Sequence, residues 1–148
     1  MLIGIPKILS PELLKVLMEM GHGDELVIAD GNFPSASVAQ ATSTKILVRA
    51  DGHGVPELLD AILQFFPLDQ YVQNPVALMA VTPGDNVEPI IWDSYLEIIK
   101  KHDPDFENFE FVERFAFYER AMQSYAILAT GESALYANVI LKKGVVKE

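Results

Sequence analysis

The feature that most restricts the fold is a rhythm of short apolar runs set between longer amphipathic ones. Glu25–Ala29, Lys45–Arg49, Val76–Val81, Phe109–Val112, Tyr125–Ala129 and Asn138–Leu141 are strand-length and dominated by aliphatic and aromatic residues. Their length and lack of helical periodicity mark them as strands. Helical patterns lie between them. Ser10 is placed to cap a helix opened by Pro11, in which Leu13, Leu14, Leu17 and Met18 recur at helical spacing and Gly21 serves as the stop. A second helix opens at Pro56 and carries Leu58, Leu59, Ile62, Leu63 and Phe66; a third runs from Pro89 to Lys101, and a short fourth from Phe115 to Met122. Strands alternating with helices predict an α/β fold, with a mainly parallel sheet flanked by helices. The last two strands are joined by too few residues for a crossover, so they are expected to be antiparallel or in separate sheets. With 148 residues and no linker or repeat, one domain spanning 1–148 is expected.

Composition removes several function classes. Twenty-one acidic residues against 11 basic ones give a formal charge of -10. That argues against nucleic acid and against anionic membrane surfaces as partners. The chain has no cysteine, so disulfides and thiolate metal sites are excluded, in keeping with a reducing compartment. The opening Met1–Lys7 is too short and broken for a signal segment, and no apolar run reaches membrane-spanning length. A soluble, cytoplasmic protein is expected.

The apolar faces of the first and third helices are wide. Leu13, Leu14, Val16, Leu17, Met18 and Met20 cover roughly 200° of the first, and Ile91, Trp92, Tyr95, Leu96, Ile98 and Ile99 are similarly spread on the third. Such breadth predicts burial against a neighbouring subunit, the alternative being a monomer with a thick core.

The candidate chemistry lies in loops and strand ends. His22 sits between two glycines, which leave its ring uncrowded. It is either an acid/base group near neutral pH or a solvated loop histidine. His53 has the same Gly-His-Gly setting, and His102 is read as a surface side chain at a helix end. Three scattered histidines without ligand spacing predict no metal. Asp30 directly follows the first strand, where ligands gather in open α/β sheets; it is equally readable as a cap of its own turn. Arg114 follows Glu113, so a local ion pair is its default partner, and Glu119 and Arg120 read as solvated helix charges. Tyr118 and Tyr136 can bury their rings and present their hydroxyls. Asn138 opens an apolar strand, where its amide needs a backbone or ligand partner. No GxGxxG, Walker or nucleophile-elbow pattern occurs, so no nucleotide cofactor is expected. The set suits recognition of a neutral polyol.

Nearly the whole chain resembles the family of L-fucose mutarotases and D-ribose pyranases. The resemblance rests on Ile5–Leu14, on Gly21–Glu25, on Ile28–Asp30, on Arg114–Arg120, on Tyr136–Asn138 and on Lys142–Val145. It implies a modified α/β sandwich assembled into rings, often decamers, that interconverts sugar anomers without a cofactor. It places the acid/base role on His22 and sugar binding on Asp30, Arg114, Tyr118, Tyr136, Ala137 and Asn138. Arginine at 114 and tyrosine at 118 are the fucose-type residues, so exchange of the anomers of L-fucose is implied. A D-ribose pyranase and a non-enzymatic sugar-binding module are the alternatives. One geometric problem follows: a strand of about 17 Å separates His22 from Asp30. Either a loop folds back, or a subunit contact completes the site.

Overall fold

Ser10 does start a helix. In the computed structural model, which describes residues 1–148, its hydroxyl accepts the Leu13 N–H at 3.1 Å and opens α1 (Pro11–Glu19). Gly21 is not the stop. Met20 ends α1 in extended backbone, and the glycine with positive φ is Gly23, at +88°. The Lys143 ammonium closes the helix instead, donating to the carbonyls of Leu17 and Met20 at 2.7 and 2.6 Å. A cation on the last carbonyls suits the negative end of the helix dipole.

The chain continues through β1 (Glu25–Ala29), α2 (Ser35–Ala41), β2 (Ile46–Ala50), α3 (Val55–Leu63), β3 (Val76–Met79) and α4 (Ile91–His102). It ends with β4 (Glu110–Val112), α5 (Arg114–Ala121), β5 (Ala126–Thr130) and β6 (Val139–Lys142). The strands form one six-stranded sheet in the order β2-β5-β1-β6-β3-β4. Five run parallel, and β6 alone runs antiparallel, between β1 and β3. β5 and β6 therefore point in opposite directions, as expected, but share one sheet with β1 between them. The sequence reading missed α2. Its seven residues carry only one large aliphatic side chain, Val38, and no helical stripe.

Alternation along the strands divides the interior in two. Leu26, Ile28, Val76, Leu78, Val139 and Leu141 face α1, α3 and α4. Val27, Ala29, Ala77, Met79 and Ile140 face α2 and α5. The wide apolar faces of α1 and α4 are largely absorbed inside the chain: Leu14, Trp92, Leu96 and Ile98 pack, partly buried, on the first of these cores. Of the residues counted in those faces, only Met18 stands free, 85% exposed.

Arg120 is not a solvated helix charge. From the last turn of α5 it reaches Glu25 at 2.6 Å and Glu110 at 2.7 Å, tying the first residues of β1 and β4 to the helix above them. The two carboxylates raise its pKa above the ordinary value against the effect of burial. His102 likewise departs from expectation, since its half-buried ring pairs with Asp60 at 2.7 Å. Replacing Arg120 by alanine leaves Glu25 without its charged partner in a largely buried position. Arg120→Ala should lower unfolding stability by about 1–3 kcal/mol, read as a lower urea midpoint at unchanged slope.

Candidate active site

The antiparallel strand brings the candidate residues together. Because β6 runs against β1, the residue that precedes it lies beside the residue that follows β1. The Asp30 N–H donates to Asn138 Oδ1 at 2.7 Å across the two chain segments. The Asn138 amide thus finds a backbone partner for its oxygen and keeps its Nδ2 hydrogens for the adjoining cleft. Asp30 also fulfils its turn role, accepting the Asn32 N–H at 3.0 Å. Burial pushes the Asp30 carboxyl above the usual range, while N–H groups of Asn32, Ala137 and Phe33 pull the other way.

Asp30 and Asn138 form one wall of a cleft of about 200 Å³, with Arg114, Tyr118 and Tyr136 on the others. Arg114 has no carboxylate within ion-pair distance; the expected pair with Glu113 does not form. Glu113 instead caps α5, accepting the N–H groups of Phe115 and Ala116 at 2.9 and 3.0 Å. The Arg114 guanidinium lies 5.5 and 5.7 Å from the ring centres of Phe115 and Tyr118, and its Nε donates to the Tyr118 hydroxyl at 3.3 Å. A cation held against aromatic rings without a counter-charge is available to a polar ligand.

The two phenols differ. Tyr136 donates to Asp85 at 2.6 Å and accepts the Thr82 N–H at 3.2 Å, so both functions of its hydroxyl are engaged. Tyr118 only accepts, and its own proton is left for the cleft. Tyr136 adopts a φ of +56°, a left-handed backbone that a bulky residue enters only when its surroundings hold it there. Those surroundings are in α4. Trp92 donates its indole N–H to the Tyr136 carbonyl at 2.8 Å, and buried Tyr95 donates to the Ala137 carbonyl at 2.7 Å.

Two of the residues expected at the site do not line the cleft of a single copy. Ala137 is fully buried, with its carbonyl bound to Tyr95, and does not line the cleft. His22 lies at the other end of β1, where its Nε2 sits 3.0 Å from Asp69 Oδ1. No loop folds back to join it to Asp30. His53, the other histidine between glycines, pairs with Glu57 at 3.1 Å at the start of α3. The sequence reading also missed Asn32, Phe33, Met79, Asp85 and Leu135, which complete the cleft. The rule that ligands gather beyond the carboxyl ends of parallel strands would have found several of them. Asn32 and Phe33 follow β1, Met79 closes β3, and Asp85 follows β3.

The cleft thus offers a carboxylate, a guanidinium, a carboxamide and a phenol within one small concavity, the donor and acceptor set of a polyol site. Comparison with known proteins agrees with this. The model of the RbsD / FucU transport protein family matches residues 3–146. The fucose mutarotase of Danio rerio is 53% identical over 146 residues, covering 97% of this chain and 93% of that one. The FucU structure from Bifidobacterium longum is 58% identical, with a TM-score of 0.93 over 97% of this chain and 99% of that one. The Streptococcus pneumoniae fucose mutarotase, solved in complex with L-fucose, is 52% identical, with a TM-score of 0.91 over 99% of this chain and 100% of that one. With its cleft at the carboxyl end of a mainly parallel sheet, and with likeness of this extent, the chain belongs to the RbsD / FucU family.

Proposed function

We propose that this chain is a sugar mutarotase that interconverts the α and β anomers of L-fucose. The observation that carries the reading is an Arg114 guanidinium with no carboxylate partner, lining one cleft of monosaccharide size together with Asp30 and Asn138. In mutarotation the C1–O5 bond of the hemiacetal breaks. O1 gives up its proton, C1 becomes a carbonyl, and O5 takes a proton. Rotation about C1–C2 presents the other carbonyl face, and reclosure reverses the proton movements. Electrons and atoms balance within the sugar, so the chemistry asks only for proton carriers and for a grip on the remaining hydroxyls.

Asp30 accepts hydrogen bonds from sugar hydroxyls, while Arg114 and Asn138 donate to hydroxyl oxygens. His22 carries one proton, since an imidazole can both accept and donate a proton at its ring nitrogens. Tyr118 is the phenol suited to partner it, because Tyr136 is committed to Asp85. Tyr136 holds the shape of the wall, and Ala137 contributes through its backbone. A single copy keeps His22 and the cleft at opposite ends of β1, so the imidazole comes from a neighbouring copy. Apolar side chains beside the cleft favour such a contact: Phe115 and Leu135 are 66% and 52% exposed. A ring-shaped homo-oligomer, a decamer, fits this requirement. No helix is long and apolar enough to cross a membrane, and the cysteine-free composition suits a cytoplasmic setting.

The buried Asp30 charge has a cost. A carboxyl whose folded pKa is raised stabilises the fold in its protonated form, and that stability is lost as pH rises from the unfolded value through the folded one. Asparagine does not titrate. The melting-temperature difference between Asp30→Asn and the wild type should therefore become more positive from about pH 4 upward and then level off, while sugar binding weakens. A difference independent of pH would show that the Asp30 charge carries no such penalty.

The function itself is tested by saturation-transfer NMR of anomeric exchange. L-fucose should exchange faster with this protein than D-ribose does, and His22→Ala should slow exchange by about 10²–10⁴-fold. Equal or greater acceleration on ribose would make the protein a pyranase. Unaltered exchange in His22→Ala at saturating sugar would remove the imidazole from the mechanism.

A further inference from the structure

Asp85 takes no part in the proton transfers, yet it brings a second carboxylate to the cleft. A tight turn sets its place. The Asp85 N–H donates to the Thr82 carbonyl at 3.0 Å and closes the turn from Thr82 to Asp85. Proline in its second position and glycine in its third, the latter at a φ of +89°, are the residues that a type II turn favours. The Tyr136 hydroxyl then fixes the side chain, donating to Asp85 Oδ2 at 2.6 Å while it accepts the Thr82 N–H at 3.2 Å. Asp85 Oδ1 accepts from no group of the protein, and Arg114 shares the cleft with Asp85 without forming an ion pair.

Topology puts the two carboxylates of the cleft on opposite rims. At this edge of the sheet Asp30 follows β1, Asn138 precedes β6 and the Asp85 turn follows β3, with β6 in the middle. Strands lie about 4.8 Å apart, so the ends of β1 and β3 are separated by about 10 Å, a width that a pyranose with its hydroxyls fills. Free acceptors are scarce inside it. Arg114, Tyr118 and Asn138 all have hydrogens to give, whereas both oxygens of Asp30 already take backbone N–H groups, from Asn32 and Ala137. A sugar hydroxyl leaving water needs a partner for its hydrogen as well as for its oxygen.

We infer that Asp85 is a specificity-determining residue whose Oδ1 accepts a hydrogen bond from a hydroxyl of L-fucose at the rim opposite Asp30. The inference rests on the reading of the cleft as a fucose site. A hydroxyl seated between Arg114 and Asp85 accepts from the guanidinium and donates to the carboxylate, so each charge gains through the sugar the partner it lacks in the free protein. A sugar without that hydroxyl, or with it on the other face of the ring, leaves the carboxylate unpaired and is rejected. The Tyr136 hydroxyl, by holding Oδ2, turns Oδ1 to this work.

A simpler role exists: Asp85 could serve only to latch Tyr136. Titration calorimetry with L-fucose separates the two. Asp85→Ala should raise Kd about tenfold, the low end for a hydrogen bond to a charged group, because Asp85 is exposed and water competes for it. The same substitution in a Tyr136→Phe background, where no latch exists, should raise Kd about tenfold again relative to Tyr136→Phe alone. The contact itself is read with analogues of L-fucose that lack the hydroxyl at C1, C2, C3 or C4. For one of them the loss of affinity relative to L-fucose should be about tenfold smaller in Asp85→Ala than in the wild type. Each loss is a comparison within one protein, so any change in folding cancels. Asp85→Asn, which keeps an oxygen for the Tyr136 hydroxyl, should show the same pattern in smaller degree and carries the test if alanine unseats the turn. Equal losses in both proteins for every analogue, or no effect of Asp85→Ala beside Tyr136→Phe, would overturn the contact and leave the function standing. Wild-type protein that fails to bind L-fucose would instead overturn the underlying reading.

Discussion

The structure depends on one strand running the wrong way. In a wholly parallel sheet, the start of each strand lies far from the carboxyl end where ligands bind. β6 enters antiparallel between β1 and β3, so its first end meets Asp30 and its last end meets the His22 loop. The 2.7 Å bond from the Asp30 N–H to Asn138 is the direct product of that insertion. So is the Lys142–Gly144 segment on which Asp69 and His22 are mounted. One strand of four residues therefore supports both the cleft and the His22–Asp69 pair, at opposite ends of the same strand.

Other contacts hold the surroundings of the cleft in place. Tyr136 is held in left-handed backbone because Trp92 and Tyr95 of α4 bind the two carbonyls beside it. Arg120 bridges β1 and β4 across the intervening strands and so fixes α5, which carries Arg114 at its other end and Tyr118 midway. At the carboxyl edge, Gly131 allows the turns after β2 and β5 to touch. A Cβ there would lie 2.0 Å from the Asp51 carbonyl oxygen. The groups that line the cleft are thus held in place, and among its two phenols only Tyr118 keeps an uncommitted proton.

Much of this was legible in the sequence. Apolar runs located all six strands to within a residue or two, because burial on both faces of a sheet leaves little room for polar residues. Asp30, Arg114, Tyr118, Tyr136 and Asn138 could be named because the segments that hold them, Ile28–Asp30, Arg114–Arg120 and Tyr136–Asn138, carry the family resemblance. What was hidden depended on contacts distant in sequence. Asp69 lies 47 residues from His22, and nothing local marks it as that residue's partner. Arg120 looked solvated because its carboxylates come from two separate strands. α2 escaped because a helix of alanines and serines has no apolar stripe to read.

The central claim is that the proton carrier and the binding cleft of one working site come from two copies of the chain. Co-expression of His22→Ala copies with Arg114→Ala copies tests it directly. Each variant alone should exchange L-fucose anomers poorly at low sugar concentration. In randomly mixed oligomers about one quarter of the sites combine an intact His22 with an intact Arg114 from the neighbouring copy, and activity should return in that proportion. Mixed oligomers that stay as inactive as the separate variants would contradict the account and place the whole site within one copy.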